Sequence, residues 1–138
     1  ILLAHTAGTG AGSSTADGLA TLPPLAAAVW LAFRLAGAVV IVPIVEELTF
    51  RGYLMRRVAS ADFASLRLDH APLVGILASS LLFGLLHDRM IAGTLAGVAY
   101  ALAARRRGEL ADAVVAHATT NALLAAYVVT TGDWTAWG

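Results

Sequence analysis

Hydrophobic residues gather in four long runs, about Leu25–Val45, Pro72–Leu86, Met90–Ala104 and Leu110–Val129, and polar residues collect between them. A hydrocarbon core about 30 Å thick takes roughly 20 helical residues to cross. The first and last runs meet that length. The second and third are shorter, but their place in a series of four predicts spans rather than buried soluble helices. The expectation is an all-α membrane protein, a polytopic bundle with about four transmembrane helices. His5–Thr21, rich in Gly, Ser, Thr and Ala, reads as a flexible linker outside the bilayer. Ile1–Ala4 reads as the end of an earlier apolar segment, so the chain is expected to be part of a longer membrane protein. Leu48–Leu68 sets Arg51, Arg56, Arg57 and Arg67 among apolar residues. This predicts a helix running on into the interface, where arginine stems can snorkel. The organisation expected is a preceding segment and linker over 1–24, a helical core over 25–131 and a short tail over 132–138.

Composition strengthens the membrane reading. Hydrophobic residues make up 59% of the chain and charged residues 13%, about half the charged share of an ordinary soluble domain; the mean hydropathy is +0.77. Nine arginines, no lysine and nine acids give zero net charge, so no basic field invites nucleic acid. The partners expected are membrane lipid and a peptide or protein substrate. The chain has no cysteine, which removes disulfides, thiolate chemistry and Cys-type zinc sites. Arg56, Arg57 and Arg67 follow the first run, and Arg105, Arg106 and Arg107 follow the third. Positive charge accumulates on cytoplasmic loops, so both ends of the chain are expected outside, with Trp134 and Trp137 at the far interface.

Ionisable groups at membrane depth are costly and usually functional, and three clusters of polar residues fall inside or at the ends of the runs. In EELTFR, Glu47 and Arg51 stand at i and i+4 and can neutralise each other. Glu46, about 100° around the helix, is left out of that pair and is the candidate base. In FGLLH, Phe83 and His87 share a helical face, and in HATTN, His117 and Asn121 do. Taken singly, each cluster has a plain reading, as interfacial glutamates or as histidines satisfied by packing. Together, a carboxylate and two histidines can activate water, and an amide can donate to a developing oxyanion. The same atoms could hold zinc, through Glu46, His87 and His117. A site without metal is the expectation, because Asn121 is an uncommon zinc ligand and a good donor, and because Glu46 used as a ligand would leave no obvious second base.

Other residues point to packing. Gly93 and Gly97 form a GxxxG pair, and Ser79 and Ser80 are expected to hydrogen-bond within or between helices. Pro43 removes a backbone hydrogen bond and is expected to kink the first span toward a water-filled chamber. Counting the rise per residue leaves Glu46, His87 and His117 at unequal depths. Level placement needs a later start to the second span, unequal tilts, or a turn at Asp88–Met90 that dips inward.

In order, EExxxR, FxxxH and HxxxN resemble the three signature motifs of the CPBP family of membrane proteins, which includes the CAAX prenyl endopeptidases and bacteriocin-processing or immunity-associated proteins. All three match without a departure, from Glu46 to Asn121. The resemblance implies an intramembrane endopeptidase. It also implies that Glu46 and His87 activate the attacking water, that His117 and Asn121 form the oxyanion side, and that Glu47, Arg51 and Phe83 support the site. The family includes members described as metalloproteases and as metal-independent, and its usual fold has more than four spans. The wording of residues 104–124 is also similar to bacterial members associated with exosortase systems, which implies a bacterial inner membrane. Two other functions compete: a non-catalytic membrane immunity or binding protein, and a proton-coupled transporter. Inverted repeats expected of a transporter are not evident.

The arginine pattern yields a topological test. Reporter fusions after Arg57 and Arg107 should read cytoplasmic, and fusions at Asp88 and Gly138 should read external; the opposite pattern would invert the orientation.

Overall fold

The computed structural model describes residues 11–137, with side chains over 15–136. Among them the architecture is entirely helical. Helix α1 covers Ala11–Thr21, α2 runs continuously over Pro24–Ala59, α3 covers Leu73–Leu85, α4 Met90–Arg107 and α5 Leu110–Thr131, with short 3-10 turns at Leu68–His70 and Trp134–Trp137. Three of the four expected spans appear with boundaries shifted by three residues or fewer. By length and composition, α2 and α5 are long and apolar enough to cross a membrane; α3 is apolar but has 13 residues.

The first span runs on past Val45 as a helix, as the pattern over Leu48–Leu68 predicts, but stops at Ala59, where Ser60 turns to extended backbone (φ −150°, ψ 140°). Pro43 does not break it. The backbone widens into π turns at Gly37–Ile41 and again at Leu48–Leu54, a form that often marks functional sites in helices. The expected linker also differs: Ala11–Thr21 is helical, because α1 packs on the turn at Trp134–Trp137. The rest of that linker, and Ile1–Ala4, lie outside the described residues, as does the side chain of Trp137.

Glycine decides how closely α3 and α4 approach. A Cβ on Gly84 would run into the Met90 carbonyl and the Thr94 hydroxyl, and one on Gly93 would lie 3.1 Å from Gly84 Cα and His87 Cβ. A Cβ on Gly97 would lie 3.2 Å from Ser80 Cα and 3.0 Å from Arg51 Nη2. The GxxxG pair is thus in direct contact with its neighbour helix, as small residues in membrane helices are. Ser79 donates back along α3 to the Ile76 carbonyl at 3.2 Å.

Helix α4 ends on Gly108, whose left-handed backbone (φ 76°) lets its N–H reach the Ala104 carbonyl, and α5 begins two residues later. Arg107 meets Asp112 in the first turn of α5 at 2.9 Å. Nearby, Arg67 binds Asp69 through two hydrogen bonds of 3.1 and 2.9 Å, which hold that carboxyl below its ordinary value.

The bundle is inverted relative to a water-soluble one. Leu25, Phe33, Leu86 and Ile91 lie on the outside, whereas Glu47 and Arg51 are fully buried, with the Arg51 guanidinium against Phe83 and Tyr100. That distribution suits lipid as solvent, since apolar side chains face hydrocarbon and charged groups need protein partners.

Replacing Gly84 with Ala should therefore destabilise the α3–α4 hairpin by about 1–3 kcal/mol in detergent unfolding titrations. Gly37→Ala is the control, because its Cβ meets nothing within 4 Å, and should stay within about 1 kcal/mol of the parent protein.

Candidate active site

Two adjacent glutamates on α2 occupy different surroundings. Glu47 is fully buried, and its Oε1 accepts from Arg51 Nη1 at 3.1 Å. Arg51 in turn donates Nη2–H to the Gly97 carbonyl at 2.6 Å. Its guanidinium carbon stands 4.6 Å from the Phe83 ring centre and 5.6 Å from that of Tyr100, distances at which a cation is attracted to the aromatic face. Glu46 takes no part in that pair. Its side chain is 30% exposed, yet Oε2 is enclosed and has no hydrogen-bond partner among the described residues.

His117, from α5, stands between the two acids. Its Nδ1 is 3.0 Å from Glu47 Oε1, and its Nε2 is 3.9 Å from Glu46 Oε2. A carboxylate accepts, so the Nδ1 proton is donated to Glu47 and Nε2 is the end presented to Glu46. The ring is stacked on Tyr100 at 4.7 Å with 13° between planes, and Phe83 meets it edge-on at 5.6 Å. Two aromatic walls and a carboxylate thus set its orientation.

His87 lies just past the end of α3. Its Nδ1 is 2.7 Å from the Phe83 carbonyl; since a carbonyl only accepts, Nδ1 carries the proton and a neutral ring keeps Nε2 as acceptor. Asn121, one turn after His117, donates Nδ2–H to the Ala38 carbonyl at 2.7 Å.

Glu46, His87, His117 and Asn121 all line one chamber of about 550 Å³, with Phe83 and Tyr100 in its wall. The chamber extends to Arg34, Asp88 and Arg89. The depth problem posed by the sequence is answered by the short α3: the turn at Leu86–Arg89 that carries His87 is itself part of the chamber. Glu47 and Arg51 lie behind it, as the i, i+4 spacing predicts. Among the described residues, no three His, Asp or Glu side chains converge closely enough to hold one metal ion.

Sequence reasoning missed two participants. Tyr100 carried a signal, since it falls three residues after Gly97 and seven after Gly93, on the face the GxxxG pair already marks. The Ala38 carbonyl carried none, because a backbone acceptor has no residue type to reveal it.

Searches of curated proteins and of solved structures each found no match. A family model described as "Type II CAAX prenyl endopeptidase Rce1-like" matches residues 28–123, more than two thirds of the chain and every residue of the candidate site. The chain therefore belongs to the Rce1-like family of type II CAAX prenyl endopeptidases, peptidases of the membrane.

Proposed function

We propose that this chain is an intramembrane endopeptidase in which Glu46 is the base that activates water and His87 assists it. His117 and Asn121 then stabilise the oxyanion. The observation that carries the reading is the contrast between the two glutamates: Glu47 is tied to Arg51 and His117, whereas Glu46, whose Oε2 has no hydrogen-bond partner among the described residues, lines a chamber together with both histidines.

The chemistry follows from those placements. A water in the chamber gives a proton to Glu46 as its oxygen bonds to the amide carbonyl carbon of the substrate, and the carbonyl oxygen takes the negative charge. His87, with Nε2 as acceptor, helps orient that water. His117 in its oxyanion role carries protons on both nitrogens, Nδ1–H bound to Glu47 and Nε2–H directed to the chamber. The amide nitrogen of Asn121 has two hydrogens, so one can bind Ala38 while the other faces the oxyanion. When the tetrahedral species collapses, the C–N bond breaks and the leaving amine takes the proton back from Glu46, as microscopic reversal of the first step requires. Phe83 and Arg51 hold the rings and Glu47 in place.

The substrate in this reading is a peptide presented at membrane depth, of the kind the family's description names. In this reading no metal takes part: Glu46 is the base, and used as a zinc ligand it would leave no obvious second base for the water. A bacterial inner-membrane location rests on the likeness of residues 104–124 to exosortase-associated members.

Glu46→Gln should lower cleavage by about 10²-fold or more and leave folded yield unchanged. Glu47→Gln should chiefly lower stability, by about 3–5 kcal/mol, because it strands buried Arg51. Cleavage by the Glu46→Gln protein at the parent rate would end the assignment.

Exhaustive chelation of detergent-purified protein should leave cleavage intact. Stoichiometric zinc whose removal stops cleavage and whose return restores it would make Glu46 a ligand instead of the base.

A further inference from the structure

Pro43 is fully buried three residues before Glu46, in the α-helical stretch Val42–Glu47, and the turn just before that stretch, Gly37–Ile41, is a π turn. In the π turn at Gly37–Ile41, the N–H of Val42 bonds five residues back to the Gly37 carbonyl. The next donor in that register is residue 43, whose partner would be the Ala38 carbonyl. Proline has no N–H. Ala38 therefore loses its in-helix donor at a depth where an unsatisfied backbone group is costly. The atom that fills this position comes from another helix: Asn121 Nδ2, 2.7 Å from the Ala38 oxygen.

We propose that Pro43 and Asn121 act as one unit, in which the Asn121 amide replaces the hydrogen bond Pro43 cannot make and so sets the turn of α2 that carries Glu46 against His117. Asn121 is then a positioning residue as well as an oxyanion donor, and the inference rests on the reading of Glu46 as the base. The geometry joins α2 and α5 at two points, Ala38 to Asn121 and Glu47 to His117, and the two α5 residues are one turn apart. The two contacts, a turn apart on α5, bracket the stretch of α2 that carries Glu46. The carbonyl also fixes the orientation of the amide: Nδ2, not Oδ1, must face Ala38, and one N–H is left over for the chamber that Asn121 lines.

The test uses four full-chain proteins in detergent: parent, Pro43→Ala, Asn121→Ala and the double variant. Asn121 is the sole Asn and the chain has no Gln, so the parent shows a single pair of side-chain amide signals in a ¹⁵N spectrum. One proton of that pair should be protected from exchange and the other not, and the protection should fall in Pro43→Ala, where the new N–H competes for the Ala38 carbonyl. The drop in unfolding midpoint caused by Asn121→Ala should be at least halved when Pro43 is already Ala. If Asn121→Ala gives no folded protein, the double variant should restore it. In cleavage, Asn121→Ala should lower kcat at unchanged KM, and Pro43→Ala should recover that kcat by several-fold.

Additive effects on the midpoint, equal and fast exchange of both amide protons in the folded parent, no recovery of kcat, or failure of both Asn121 variants to fold would overturn the proposal. An inactive parent would refute the peptidase reading separately, since the amide signals and the stability cycle are read without cleavage.

Discussion

Arg51 is a fully buried guanidinium inside a bundle whose outside is hydrocarbon-like, and most of the interior is arranged around it. A charge at that depth needs a counter-ion, hydrogen-bond acceptors and polarisable walls. Glu47 supplies the first, the Gly97 carbonyl the second, and Phe83 and Tyr100 the third. Each provision constrains a different helix. Gly97 must lack a side chain, because a Cβ would sit 3.0 Å from Nη2. The GxxxG pair therefore serves an ion as well as close helix packing. Phe83 must sit beneath the guanidinium, and that places the last turn of α3, hence His87, beside the chamber.

The difference between the two glutamates follows from this arrangement. They are neighbours in sequence, and their intrinsic chemistry is identical. Rotation by about 100° per residue turns one toward Arg51 and the other toward the chamber. Glu47 also accepts from His117, so the arginine's counter-ion is at the same time the orienting group for a histidine. A histidine held by a carboxylate at Nδ1 presents Nε2 in a set direction, a familiar arrangement wherever imidazole handles protons. Burial of an ion pair is poor value for stability alone, and here the pair has a second use, since it fixes a ring.

Much of the fold was legible because lipid demands long uninterrupted apolar runs, and such runs are plain in a sequence. Leu110–Val129 and the helix Leu110–Thr131 agree to within two residues for that reason. The pairing of Glu47 with Arg51 was legible because it is local. What could not be read was non-local or lay in the backbone. Seventy residues separate His117 from Glu47, and no pattern in either segment names the other. The π turns on either side of Val42–Glu47 are a matter of backbone register, and composition is silent on that. Ala11–Thr21 packs on a turn made by residues more than a hundred positions later, a contact that the Gly, Ser and Thr content of the stretch does not reveal.

His87, His117 and Asn121 share one physical property. Each has two hydrogen-bonding positions pointing in different directions, and in each the position that can be assigned is tied to the frame: His87 Nδ1 to the Phe83 carbonyl, His117 Nδ1 to Glu47, and one N–H of Asn121 to the Ala38 carbonyl. The remaining position is what the chamber receives. A serine offers a single rotating hydroxyl and a lysine ends in a flexible ammonium, so neither can be anchored at one atom and presented at another. At Ala38 the anchoring bond also answers a backbone acceptor, a group costly to leave unsatisfied in a membrane interior. The residue types in FxxxH and HxxxN are therefore constrained twice, by what the helices need and by what the chamber needs, and a substitution that keeps one of the two bonding positions should separate those demands.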